Sequence, residues 1–358
     1  MGRGKCGHYS GIGGQAVLEG VMMKNKDEYA VSVRKPDGTI ETKREEYKGI
    51  WAGKPLVKLP FIRGVFNFID SMVLGMQTLT WSASFYEDEE AQNTKTDEML
   101  DKVTKGSGEK VLMGLTVAFS IVLALAIFIV LPYGISLLFQ KFVRNASLLA
   151  ILEGAVRLAI FLIYVAAIAA MKDIRRVYQY HGAEHKCINC LEKGRPLTVK
   201  NVMKSSRLHK RCGTSFLLFV ILISIILFLF IRVENPGLRL VVRILLIPVI
   251  AGISYEVIRL AGRSDNPVIN LISRPGLWLQ RLTTREPDES MVEVAMASVE
   301  AVFDWRAYLK SEFGYTDEDL ESLEDGMAAP EWEAAAEEGK KAPEGEAAAS
   351  EGGEPEGL

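Results

Sequence analysis

Cysteine and histidine are both scarce in this chain, with four of each among 358 residues. So few cysteines in so long a chain exclude a small secreted module stapled by disulfides. The first 21 residues, Met1–Val21, are Gly-rich and lack the apolar core of about 7–15 residues that marks a cleavable signal. Net charge is nearly absent too, at −3 from 42 Lys+Arg and 45 Asp+Glu. That total averages two opposite parts. Tyr315–Leu358 holds 15 acidic residues against two lysines, a charge of −13, and residues 1–314 carry +10. Only this tail has the charge-rich, aromatic-poor composition that cannot bury a core, so chain-wide disorder is excluded.

What is present is apolar: 49% of residues, gathered into long runs. Residues 111–140 contain no charge, and Gly213–Ile231 is a second uncharged run. About 20 apolar residues cross a bilayer core, so both are expected to span a membrane. Two further spans carry charges. Leu148–Met171 includes Glu153 and Arg157, spaced to pair on one helix face. Leu238–Ile258 includes Arg239, Arg243 and Glu256 near its ends. The loop between spans two and three, Lys172–Arg211, holds eleven Lys/Arg, whereas the loop after span one has only Lys141 and Arg144. The positive-inside bias then places that loop and both termini in the cytoplasm, with span one as an uncleaved insertion signal.

The expected fold is mainly α: a polytopic membrane protein with four transmembrane helices, an N-terminal cytoplasmic β-hairpin and amphipathic interfacial helices. Residues 1–110 form the N-terminal region. In it, Tyr29–Lys35 and Thr39–Arg44 alternate in the strand period around Pro36-Asp37-Gly38, which predicts the hairpin. Pro55–Phe85 carries a helical apolar stripe broken by Lys58, Arg63 and Asp70, suited to the membrane surface. An acidic linker, Glu87–Lys110, follows. Residues 111–260 form the transmembrane domain, with its cytoplasmic loop 172–212. Residues 261–312 form a juxtamembrane segment and a helix over Asp288–Leu309, and 313–358 a disordered acidic tail.

Three histidines and three cysteines fall in one 32-residue stretch: His181-Gly-Ala-Glu184-His185-Lys-Cys187-Ile-Asn-Cys190, then His209-Lys-Arg-Cys212. On a helix, His181 and His185 point the same way and can share a metal ion, with Glu184 on a neighbouring face as general base for a metal-activated water. No proline interrupts Met171–Leu191, so span two is expected to run on as the ligand-bearing helix. Surface histidines, a structural zinc with four protein ligands, and a Cys187/Cys190 redox pair are the competing readings. Glu256 and Arg259 at the end of span four form a membrane-edge ion pair, or Glu256 reaches the same metal. Gly11, Gly13 and Gly14 permit a tight backbone path ahead of Glu19. That path is either a plain turn and strand start or a segment packed under the metal loop, with Glu19 bonded to a ligand histidine.

At these residues the chain resembles the YqhQ-like family of bacterial multi-pass membrane proteins, a domain of unknown function catalogued as metal-dependent enzymes. The matching stretches are Ile12–Met23, His181–His185, Arg211–Phe216, Tyr255-Glu256 and Pro275–Pro287, in order along the chain from about Gly11 to Val302. The resemblance implies metal dependence and residence in the bacterial cytoplasmic membrane, but no substrate. Family members often have Pro where Lys210 stands and Thr where Cys187 stands. The second departure demotes Cys187 and favours His181, His185 and Cys212 as ligands, with Cys190 or His209 completing the set.

The leading expectation is therefore a zinc-dependent membrane enzyme, a hydrolase at the cytoplasmic membrane surface, acting on an amphiphilic or membrane-bound substrate. The alternative is a non-catalytic binding or assembly factor with a structural zinc. The bilayer is an expected partner and nucleic acid is not. Scattered hydroxyls such as Ser120, Ser224 and Ser254 are too few polar groups in the spans to favour a transporter.

Overall fold

A computed structural model describes residues 8–86, 108–231, 233, 235–263 and 266–324. Most of the expected linker Glu87–Lys110, and the tail beyond residue 324, lie outside the described residues.

The N-terminal region holds twice the sheet that was expected. Strands β1 (Gly13–Val17), β2 (Gly20–Asn25), β3 (Glu28–Arg34) and β4 (Ile40–Glu46) form one antiparallel meander in that order. The β3–β4 pair is the predicted hairpin. Gly38 takes a positive φ of 87° and Asp37 accepts the Thr39 N–H at 2.9 Å, closing the turn. Side chains alternate across the sheet. Val17, Met22, Tyr29, Val31 and Val33 pack with Leu74 of α1 (Ile62–Ala83) on one face. Val21, Met23 and Ala30 share a larger core with helices on the other face.

Those helices come from far along the chain. Helix α2 (Gly108–Leu125), a π-helical turn Ala126–Val130 and α3 (Leu131–Phe139) make the first span. Pro132 has no N–H to complete the regular ladder, and the wide turn before it absorbs that loss. Helix α4 (Ala146–Ala170), capped by Asn145, is the second span. Contrary to the expected continuous helix, Met171 is extended (φ −68°, ψ 136°) and α5 (Lys172–Glu192) starts afresh. The break frees α5 to turn its buried face, Tyr180 through Leu191, onto the sheet domain instead of following the span axis.

A short helix α6 (Val199–Met203) leads to α7 (Gly213–Phe230), the third span. The fourth is broken in two: α8 (Pro236–Leu245) and α9 (Ile247–Arg263) meet at Leu246, just before Pro248. Helix α10 (Pro267–Thr283) returns along α7, with Phe161, Val165, Leu218, Ile221 and Leu279 forming a core between α4, α7 and α10. Among the described residues, four helices are long and apolar enough to cross a membrane: Gly114–Phe139, Ser147–Ala170, Gly213–Phe230 and Gly237–Gly262. Span one exposes Leu115, Phe119 and Val122, a surface that suits lipid and not water.

The expected single helix Asp288–Leu309 is two. Helix α11 (Glu289–Val302) is capped by Asp288, and α12 (Trp305–Phe313) is capped by Asp304. Nine of the 14 residues of α11 are buried, because it is the central helix between the sheet and α5. Each large apolar side chain so buried contributes about 1.5–3 kcal/mol. The N- and C-terminal regions are thus one packed unit with loop 172–212. The tail set off at residue 313 as structureless begins with a helix, α13 (Asp317–Glu324), whose Leu320 is buried in the same core.

Candidate metal centre

Helix α5 is the platform for the site. Its N-terminal part is charged and its middle is buried, with Glu184, His185 and Lys186 each at most 4% exposed. The Gly182 of the His-Gly-Ala-Glu-His run touches the Arg285 carbonyl so closely that any Cβ would collide with it, and Arg285 N–H donates to Tyr178 O at 2.8 Å. This contact draws the chain after α10 against the histidine face of α5.

Three ligand atoms converge there. One atom each from His181, His185 and Cys212 lie within 4.8 Å of one another. His181 Nε2 is 3.3 Å from Cys212 Sγ. The other ring nitrogens are anchored: His181 Nδ1 meets Thr283 O at 2.9 Å, and His185 Nδ1 meets Arg207 O at 2.7 Å. A carbonyl oxygen only accepts, so both Nδ1 atoms carry a proton, and in each neutral ring Nε2 is the nitrogen able to donate a lone pair to a cation. Cys212 stands at the N-cap of α7, where the helix end favours a thiolate. Burial alone would push its thiol up, but the His181 and His185 imidazoles outweigh that and hold it well below its usual range. Burial would lower His181 in turn, yet the Cys212 sulfur raises it to about 9.

Glu184 borders the cluster, with its carboxylate 4.0 Å from His181 Nε2. Burial raises its carboxyl, against the pull of the His185 and His181 rings and of the Gly14 N–H that it accepts. Gly14 of β1 is what permits this approach: a Cβ there would sit 2.5 Å from Met22 O and 3.0 Å from Glu184 Cγ. The Gly-rich start therefore packs beneath the histidine helix, the packing half of one of its two readings.

The other expected site residues go elsewhere. His209 Nε2 faces Glu192 at 3.3 Å, and Glu192 also takes Arg211 at 2.5 Å and the Ser10 hydroxyl at 2.8 Å. Cys190 lies in the apolar core, its Sγ directed at Pro196 O (3.4 Å), and burial pushes its thiol up to about 11. Cys187 is fully buried beside it with its thiol also pushed up by burial, which removes the redox-pair reading. Glu19 takes a positive φ of 51° in the β1–β2 turn and pairs with Arg176 and the Tyr180 hydroxyl, not with a ligand histidine. Glu256 is gripped by Arg63 at 2.7 and 2.6 Å and by Arg259 at 3.5 Å, docking α1 on span four. Neither the Glu19 nor the Glu256 route to the metal matches this geometry.

Sequence reasoning passed over the residues that hold the site in shape. Gln280, fully buried, accepts the His209 N–H at 2.8 Å and donates to His209 O at 2.7 Å and Ser215 Oγ at 2.8 Å. Thr214 Oγ1 lies 3.1 Å from Cys212 Sγ and 3.2 Å from Thr283 Oγ1. The available signal was the uncharged polar group of Gln280, Thr283 and Thr284 within the Pro275–Pro287 stretch.

The donor set fits a borderline-soft ion such as zinc, which takes imidazole nitrogen and thiolate sulfur together. At the usual bond lengths, tetrahedral ligands stand roughly 3.3–3.7 Å apart, so a small contraction of the present cluster accommodates one.

Comparison with known proteins places these features in a lineage. The family model described as "Protein of unknown function (DUF1385)" matches residues 59–305. The uncharacterized protein YqhQ of Bacillus subtilis is 38% identical over 291 residues, covering 80% of this chain and 90% of that protein. No solved structure matches the chain. With its family model spanning both the bundle and the histidine helix, the chain belongs to the YqhQ-like DUF1385 family.

Proposed function

We propose that this chain is a zinc-dependent hydrolase of the membrane surface, with the metal held by His181, His185 and Cys212. The observation that carries the reading is the three-donor cluster beside the buried Glu184 carboxylate on the helix that bears both histidines. Catalytic zinc sites characteristically use three protein ligands and leave one position for water or substrate. Zinc would supply Lewis acidity there. Glu184 takes the proton from the attacking water, and its burial and raised carboxyl suit a group that must hold and return a proton. Thr283 and Arg207 carbonyls keep the two imidazoles in the ligating tautomer.

The surroundings support an amphiphilic substrate. Helix α1 exposes Ile62, Ile69, Met72, Met76 and Leu79, and α10 exposes Val268, Leu271 and Trp278. Such apolar stripes suit helices seated at the lipid interface, with an amphiphilic substrate entering from the membrane. The eleven basic residues of Lys172–Arg211 favour a cytoplasmic location for this loop and for both termini.

A zinc that only staples the fold is the second reading, favoured by the way the site ties α5, the loop before α7 and the end of α10 together. One variant separates them. Full-length protein purified without chelator is expected to carry stoichiometric zinc, and absence of any transition metal overturns both readings. Glu184→Gln should keep the metal while losing about 10²–10⁴-fold of the activity that rescues a deletion strain. Full rescue by that variant leaves the stapling role.

A further inference from the structure

A second buried polar cluster lies inside the bundle. Glu153 and Arg157 on α4 and Arg243 on α8 are each no more than 6% exposed. Arg157 Nη2 donates to Glu153 Oε1 at 2.9 Å and Nη1 to Ser224 Oγ at 2.9 Å. Arg243 Nη1 stands 2.6 Å from the same Glu153 oxygen but off the hydrogen-bonding alignment. Among the described residues, that atom and Arg157 Nε have no hydrogen-bond partner. Two guanidinium groups therefore share one carboxylate oxygen. The Phe228 ring lies 5.0 Å from Arg157 and 5.1 Å from Arg243, which offsets part of the surplus charge. A net positive charge in such surroundings is costly unless an anion completes it.

Space for that anion adjoins the cluster. A cavity of about 530 Å³ has Glu153, Arg144, Arg239 and Arg243 as the ionisable groups of its described wall, together with apolar surface from Leu149 and Phe228. That size is within the range of small-ligand sites. It opens where α7 ends and α4 begins. Cys212 is at the other end of α7, whose 18 residues span about 27 Å. The two sites are therefore separate.

We propose that this cavity binds a phosphate-bearing anion, the head group of an anionic membrane lipid, between Arg239 and Arg243, with acyl chain along the apolar wall. Guanidinium forks suit a phosphate because they donate in parallel pairs. This inference is independent of the metal reading.

Native mass spectrometry of the full-length protein in detergent tests it, with added phosphatidylglycerol or phosphatidylcholine, each with and without millimolar inorganic phosphate. Phosphatidylglycerol should be retained about tenfold or more over phosphatidylcholine, the equivalent of one charge-assisted hydrogen bond. Arg239→Gln should remove that preference. Arg243→Lys, which keeps the buried charge and so the fold, should weaken it. Retention that survives inorganic phosphate identifies the lipid as the source, and displacement by it identifies the free anion, the phosphate site standing in both cases. Equal retention of the two lipids, or unchanged preference in both variants, overturns the proposal.

Discussion

The two ends of the bundle hold buried polar clusters with opposite unmet needs. At one end, His181, His185 and Cys212 bring one ligating atom each toward a common point, because the other ring nitrogens donate their protons in hydrogen bonds to carbonyl oxygens. At the other, Arg157 and Arg243 crowd one oxygen of Glu153, and two guanidinium nitrogens find no hydrogen-bond partner among the described residues. The first offers ligating atoms that the proposed metal would use; the second offers donors that the proposed anion would use. Burial alone does not distinguish them. What does is the sign of the hydrogen-bonding capacity that the protein leaves unspent.

The contrast can be broken most forcefully at the cation end. Cys212→Ala should lower zinc affinity by more than the roughly 10–100-fold that loss of an outer partner costs, leaving purified protein with traces of metal. Elemental analysis reads this directly, and near-stoichiometric zinc in the variant would remove Cys212 from the ligand set. At the anion-seeking end, Glu153→Ala strands two guanidinium groups and should destabilise the protein by about 3–5 kcal/mol. Thermal unfolding in detergent measures the loss. Adding Arg157→Met to that background should recover part of it, and strict additivity of the two substitutions would argue against a shared charge network.

The Glu192 cluster offers a balanced case between the two, since its carboxylate is matched by Arg211 and His209. Burial would raise Glu192, but His209 and Arg211 outweigh it and hold the carboxyl at about 2. Its contribution of about 3 kcal/mol is then fully present above the ordinary carboxylate range. As pH falls below about 4.5 the unfolded chain takes up the proton first, and the contribution drains away by about pH 2. The stability gap between wild type and Glu192→Gln should therefore narrow over that window. A gap that stays constant from pH 6 to the acid limit would show the pair to be neutral in energy.

Much of this was legible in the residues. Thirty uncharged residues leave no soluble alternative for 111–140, and the Glu153–Arg157 spacing anticipated the pair observed at 2.9 Å. The histidine helix followed from a spacing of four, and the β3–β4 hairpin from its turn. Strand β2 was harder, because a strand buried on both faces loses polar alternation: Val21, Met22 and Met23 are all buried. The helix break at Met171 has no breaker residue to announce it, since it serves packing that comes from β1 and α11. Among the candidate ligands, His209 and Cys190 could not be set aside by counting. Their partners, Glu192 and the Pro196 carbonyl, are chosen by how α5 and its following loop meet.

The amino-acid sequence alone determined which segments enter the membrane and that one helix face carries two histidines and a carboxylate, because hydrophobic run length and side-chain periodicity are local properties. Tertiary structure alone decided which groups meet: Gly14 under Glu184, Thr283 behind His181, Arg243 over Glu153. Those pairings join residues from about 90 to 170 positions apart, where only the packing of apolar faces sets the distance.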